Sequence, residues 1–117
     1  MQVSLHMIGQ LMEVRPNEYK NKEGKTVEQT EITVLFTGLS EDGYKKISAD
    51  TVLLEGQEDV DILSPLIGKF VAIPYSLEVS EYGSKCRVDR TMPVLTFDKN
   101  PLDYSKYERR AATTATK

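Results

Sequence analysis

The chain has 117 residues, 39% of them hydrophobic and 28% charged, with a formal net charge of −3. That length buries one core but not two, and the composition is that of a globular chain. No apolar run is long enough to cross a bilayer, and the single cysteine, Cys86, excludes an internal disulfide.

The charge is unevenly spread. Residues 41–62 hold Glu41, Asp42, Asp50, Glu55, Glu58, Asp59 and Asp61 against Lys45 and Lys46, a local −5 that leaves the remainder at +2. Two stretches are basic: 15–25, with Arg15, Lys20, Lys22 and Lys25, and 82–90, with Lys85, Arg87 and Arg90. The molecule is electrically two-sided, and distribution matters more than the sum for the choice of a charged partner.

In chain order, Val3, Leu5 and Met7 alternate with polar residues, the period of a strand with one buried face. The parity changes near Ile8-Gly9, so a bulge or bend is expected at Gly9, and Pro16 is expected to end the strand. Thr30, Ile32, Val34 and Phe36 then alternate as a second strand, which makes "RPNEYKNKEGK" a hairpin loop with Gly24 near its end. "GLSEDG" reads as a turn and "YKKISADTVLL" as a third strand. "EGQEDVDILSPLIGK" has an acidic start and helical spacing at Val60 and Leu63, and Pro65 limits the helix to a turn or two. "KFVAIPYSLEV" is a fourth strand with Val71, Ile73, Leu77 and Val79 on one side, and Pro74 suggests an edge or a bulge. "SEYGSK" turns the chain into a fifth strand with Cys86 and Val88 inward and Lys85 and Arg87 outward.

Three strands, a short helix and two more strands make an all-β chain: a five-stranded OB-fold Greek-key barrel with a short helix between strands three and four. That fold takes ligands on strands two and three, flanked by the strand one-two and strand four-five loops. Those loops are the two basic, tyrosine-bearing stretches. The barrel domain is expected over 1–97 and a flexible tail over 98–117, where amphipathic periodicity is absent.

Single-stranded nucleic acid offers phosphates and unstacked bases, so a binder without sequence preference needs cations and aromatic planes together. Tyr19 with Lys20, Lys22 and Lys25 supplies both, as does Tyr82 with Lys85 and Arg87. Tyr44 with Lys46 is a third set. Catalysis finds little material. One histidine and one cysteine cannot build a His/Cys zinc site, and His6 and Cys86 fall on opposite faces of their strands. "EDVD" lacks the calcium-loop pattern, and no phosphate-cradling glycine motif is present. Neither a metal nor a cofactor is expected, and the chain is not expected to be an enzyme.

"VSLHMIGQL", followed by Pro16 and "EGK", resembles the opening of bacterial single-stranded-DNA-binding proteins. The chain departs from them in lacking tryptophan and in ending "RAATTATK" rather than in an acidic, phenylalanine-terminated tip. It is more similar to the compact single-stranded-DNA-binding proteins of filamentous phages, or to plasmid counterparts. The resemblance implies sequence-independent coating of single-stranded DNA during phage or plasmid replication, by a cytoplasmic homodimer. The alternative is an OB-fold module whose ligand is another protein of a replisome or phage assembly.

Overall fold

The computed structural model describes residues 5–81 and 83–107. Six strands and one helical segment follow in order: β1 (Leu5–Lys20), β2 (Thr26–Leu39), β3 (Lys45–Glu55), α1 (Asp59–Leu63) continued by a 3₁₀ turn over Ser64–Leu66, β4 (Phe70–Ser80), β5 (Gly83–Val88) and β6 (Leu95–Phe97). The strands hydrogen-bond in the order β1-β2-β3-β5-β4, and β4 pairs back on β1, which closes the barrel. Only β3 and β5 run parallel, meeting at Leu54 and Cys86. The chain is thus an all-β, OB-fold-like barrel of five strands, with its short helix between β3 and β4. The short sixth strand, Leu95–Phe97, lies along Phe70–Ala72 and was not anticipated in the sequence. Among the described residues, no helix is long and apolar enough to cross a membrane.

Closure buries Met7, Thr30, Ile32, Val34, Val71 and Ile73, which the alternation marked, whereas Leu5 is exposed at the strand start and Phe36 only partly buried. Leu11, Ile32, Leu54, Leu63 and Ile73 are fully enclosed, with Val34, Val71 and Val88 beside them. Leu63 enters this core from α1, a helix too short to be stable alone and held by that burial. Asp59 at its start is buried too, and Arg90, just past β5, holds it with Nη2 3.2 Å from Oδ2.

Four local expectations change. The register of β1 on β2 shifts between Leu11 and Glu13, so the bulge lies at Met12 rather than at Gly9. Gly9 serves close approach instead: a Cβ there would stand 2.5 Å from the Leu35 carbonyl oxygen. Pro16 does not end β1, which continues to Lys20. In the turn, the Asn21 N–H donates to the Lys25 carbonyl, so odd residues of β1 turn their backbone groups toward β2 and even ones away. β1 leaves β4 at Gln10, so beyond it that outward side is a free edge, where a missing N–H costs nothing. Pro74 is neither at an edge nor in a bulge but buried in β4, between β1 and β5. Its missing donor falls where β4 passes from β6 to β5, and its carbonyl accepts from the Asp89 N–H. Leu77 and Val79 are exposed, because β4 and β5 run on past the barrel as a hairpin.

The consequence is an elongated molecule, 64 × 32 × 31 Å, with a radius of gyration of 17.4 Å, where a compact chain of about 100 residues has ~13 Å. "RPNEYKNKEGK" is mostly strand, and only the turn from Asn21 to Lys25 is loop. β1 and β2 form one projecting arm, and β2 and β3 form another at the opposite end of β2.

Candidate nucleic-acid interface

The β1–β2 arm is held by pairs across its outer face. Arg15 is ion-paired with Glu31, which also raises the Arg15 pKa, and Asn17 Nδ2 donates to Gln29 Oε1 at 2.8 Å. Next in the same row, Tyr19 stands opposite Val27 with its ring half exposed. The Asn21 side chain then accepts from the N–H groups of Glu23 and Lys25, and Gly24 closes the turn at φ 81°. Lys22 and Lys25 are thereby carried at the tip. Lys20, one residue beyond Tyr19, takes the other face of the ribbon.

A cleft of about 380 Å³ separates this arm from the β4–β5 hairpin. Tyr19 and Asn21 line one wall, and Ser80, Ser84 and Lys85 line the other. Its floor is the outer face of β2 and β3, with Val27 and Gln29 beside Leu53 and Glu55. The structure therefore brings Tyr19 and Lys85, from the two loops that flank one face in the expected fold, to one concavity. It also places an acid among them. Glu55 Oε2 is 2.8 Å from Arg87 Nη2, and its Oε1 is 3.8 Å from Lys85 Nζ. Cys86, between these two cations, has its thiol pKa pushed up by burial and secondarily by Glu55, so it remains protonated.

The other expected residues lie elsewhere. Tyr44 and Lys46 sit at the β2–β3 turn, about 40 Å along β2 from Tyr19 at the usual rise per residue. They share no cleft with it. Tyr82 lies outside the described residues. Of the cations, Lys25 has Glu23 at 3.9 Å with both groups largely exposed, while Lys20, Lys22 and Lys46 have no ion-pair partner among the described residues. Sequence reasoning missed Leu53 and Glu55. Leu53 was legible in principle, because an inward Leu54 forces it outward, whereas Glu55 lies 30 positions from Lys85 and nothing local joins them.

No family model, curated protein or solved structure matches this chain. Chemically, the cleft offers a half-exposed ring, an apolar floor, and cations partly neutralised by one carboxylate. A planar group can lie on Tyr19 while an anion meets Lys22, Lys25 or Lys85. Among the described residues, no group of three or more His, Cys, Asp and Glu side chains could hold a metal.

Segment 98–107 carries on from β6 toward the second arm. Asn100 Nδ2 donates to Thr37 Oγ1 at 3.0 Å, and Leu102 lines an apolar depression with Phe36, Tyr75 and Leu77. The rest of the expected tail, 108–117, lies outside the described residues.

Proposed function

We propose that this chain binds single-stranded DNA without strong sequence preference, coats it during phage or plasmid replication, and catalyses no reaction. The supporting observation is the meeting of Tyr19 and Lys85 in one cleft over the outer face of β2 and β3, the face on which OB-folds take oligonucleotides. A base stacked on Tyr19 leaves its phosphates within the field of Lys22 and Lys25, which gives affinity that no particular base determines.

The second reading is a protein ligand. It draws on Glu55, which offsets Lys85 and Arg87, and on Leu53, an exposed apolar residue in the same floor. Anisotropy of labelled oligo-dT against a duplex of equal length separates the two, with tighter binding of oligo-dT expected. Replacing Lys22 and Lys25 by Ala should flatten the slope of log affinity against log salt by about 1.4, at roughly 0.7 per single-strand contact. Tyr19→Ala should cost on the order of 1–3 kcal/mol and leave that slope nearly unchanged, since stacking releases no counterions. An unaltered affinity in both variants would remove the arm from DNA binding and leave the protein-ligand reading.

A further inference from the structure

β1 and β3 each run on past their second neighbour with a free edge, and the two edges are not alike. β1 has no second neighbour beyond Gln10, and β3, paired along its whole length with β2, meets β5 only at Leu54. On β1 the backbone groups of even residues face outward, and Pro16 is one of them. That edge lacks a donor at its middle, a common way for a sheet to refuse another strand. β3 carries no such block from Lys45 to Leu53.

The direction of the β3 edge follows from its turn. The Ser40 N–H donates to the Tyr44 carbonyl at 2.7 Å, and the register runs unbroken from Leu39 opposite Lys45 to Gln29 opposite Glu55. Even residues of β3 therefore turn their backbone groups to β2. Lys45, Ile47, Ala49, Thr51 and Leu53 turn theirs to the open side. Ile47 is 57% exposed on this strand, and Ala49 is exposed beside it.

We propose that two copies of this chain pair antiparallel through the free edge of β3, about a two-fold axis at Ser48. An antiparallel pair with that axis sets Ile47 opposite the partner's Ala49, and Lys45 opposite the partner's Thr51, with all four carrying outward-facing backbone groups. It also sets Lys46 opposite the partner's Asp50, twice. Neither Lys46 nor Asp50 has an ion-pair partner among the described residues. An axis at Ile47 or Ala49 leaves both charges opposite uncharged residues, and an axis at Lys46 or Asp50 sets like charges against each other. The segment "KISAD" is complementary to itself in one register only, and opposite charges directly across an antiparallel pair stabilise it. The partner's Ile47 lies diagonally beside Ile47 in that register, so the most exposed large apolar side chain of the strand is covered by its own copy. The interface lies toward the β2–β3 turn, away from Tyr19, and does not depend on what the cleft binds.

Sedimentation of the full chain tests it without DNA. The native protein should sediment at about twice 13.2 kDa at micromolar concentration. Lys46→Asp and Asp50→Lys should each weaken dimerisation at least about tenfold, because each sets two like-charged pairs across the axis. An equimolar mixture of the two variants should recover dimers, since every facing pair is then opposite in charge. Ala49→Pro removes a donor that faces the partner and none that faces β2, so it should give a folded monomer with a native far-UV spectrum. Ser48→Cys in a Cys86→Ser background should cross-link under mild oxidation, because Cα atoms of facing residues in such a pair are about 4.5 Å apart. A native monomer at tens of micromolar, a dimer indifferent to both charge reversals, a mixture of folded variants that stays monomeric, or a Ser48→Cys variant that does not cross-link would each overturn the proposal.

Discussion

The two arms that share β2 are closed by the same turn and carry different side chains. In the first, Asn21 accepts backbone N–H groups through Oδ1 and Gly24 takes φ 81°. In the second, Ser40 accepts through Oγ and Gly43 takes φ 89°. Both are three-residue hairpin loops with glycine in the left-handed position, so backbone chemistry makes the arms alike. Their side chains divide them. The first satisfies itself along the ribbon, with Arg15 on Glu31 and Asn17 on Gln29, and presents Tyr19 and two lysines beyond those pairs. The second leaves Lys46 and Asp50 unmatched and offers them in a self-complementary row. Turn chemistry sets the shape of an arm, and cross-strand pairing sets which side chains it leaves unmatched.

Both arms depend on a common root. Arg90 holds Asp59, whose side chain is 2% exposed, and Asp59 in turn raises the Arg90 pKa further. Arg90→Ala strands a buried carboxylate at the start of α1, beside the Leu63 that fills the core. The expected loss is on the order of 3 kcal/mol, visible as a lower urea midpoint, with both arms lost in one transition. If the loss is below about 1 kcal/mol, water reaches Asp59 and the clasp is not what holds α1.

A smaller change tests whether the turns are energetically equivalent. Gly24→Ala and Gly43→Ala each force a Cβ into the left-handed region, at about 1–2 kcal/mol apiece. A Cβ at Gly24 meets no atom within 4 Å, so its cost is conformational alone. Thermal melts of the two variants should fall together. A much larger loss for one would show that its turn carries packing that the other lacks.

The sequence made the barrel legible because its signals are local. Alternation at Thr30, Ile32 and Val34 names the inner face of β2, and the order of strands around one short helix names the topology. The prolines were misread for a reason of principle: proline is tolerated wherever its absent donor faces no acceptor, and which side that is depends on strands far away in sequence. Pro16 is a case of this, and Pro74 sits where β4 changes partner from β6 to β5. Gly9 follows the same logic, since the Leu35 carbonyl that it must clear lies 26 residues on. In the candidate site, Tyr19 and Lys85 are legible, and the strand order sets their loops beside one face, but the acid between them, Glu55, is not. The third set, Tyr44 with Lys46, looked equivalent in composition and sits on the other arm.

Glu55 bears on binding with little effect on the fold. It is the acid that the first arm's cleft contains, on the strand whose far half forms the second arm. Its carboxylate is about one-third exposed, 2.8 Å from Arg87 and 3.8 Å from Lys85, and a partly exposed ion pair of this kind contributes at most about 1 kcal/mol to stability. Its effect on binding is larger if phosphate competes for the same cations. While Glu55 serves as their counterion, Lys85 and Arg87 release few salt ions when DNA arrives. Glu55→Gln hands that role to salt, so the slope of log affinity against log salt should steepen by up to about 1.4, two contacts at roughly 0.7 each. Binding at low salt should tighten. Glu23→Gln is the control, because Glu23 and Lys25 stand 3.9 Å apart with three-quarters of each exposed and are already screened. Should Glu55→Gln bind with native affinity and slope, Lys85 and Arg87 do not meet phosphate. Their pairing with Glu55 then only fastens β5 to β3, and recognition rests on the first arm alone.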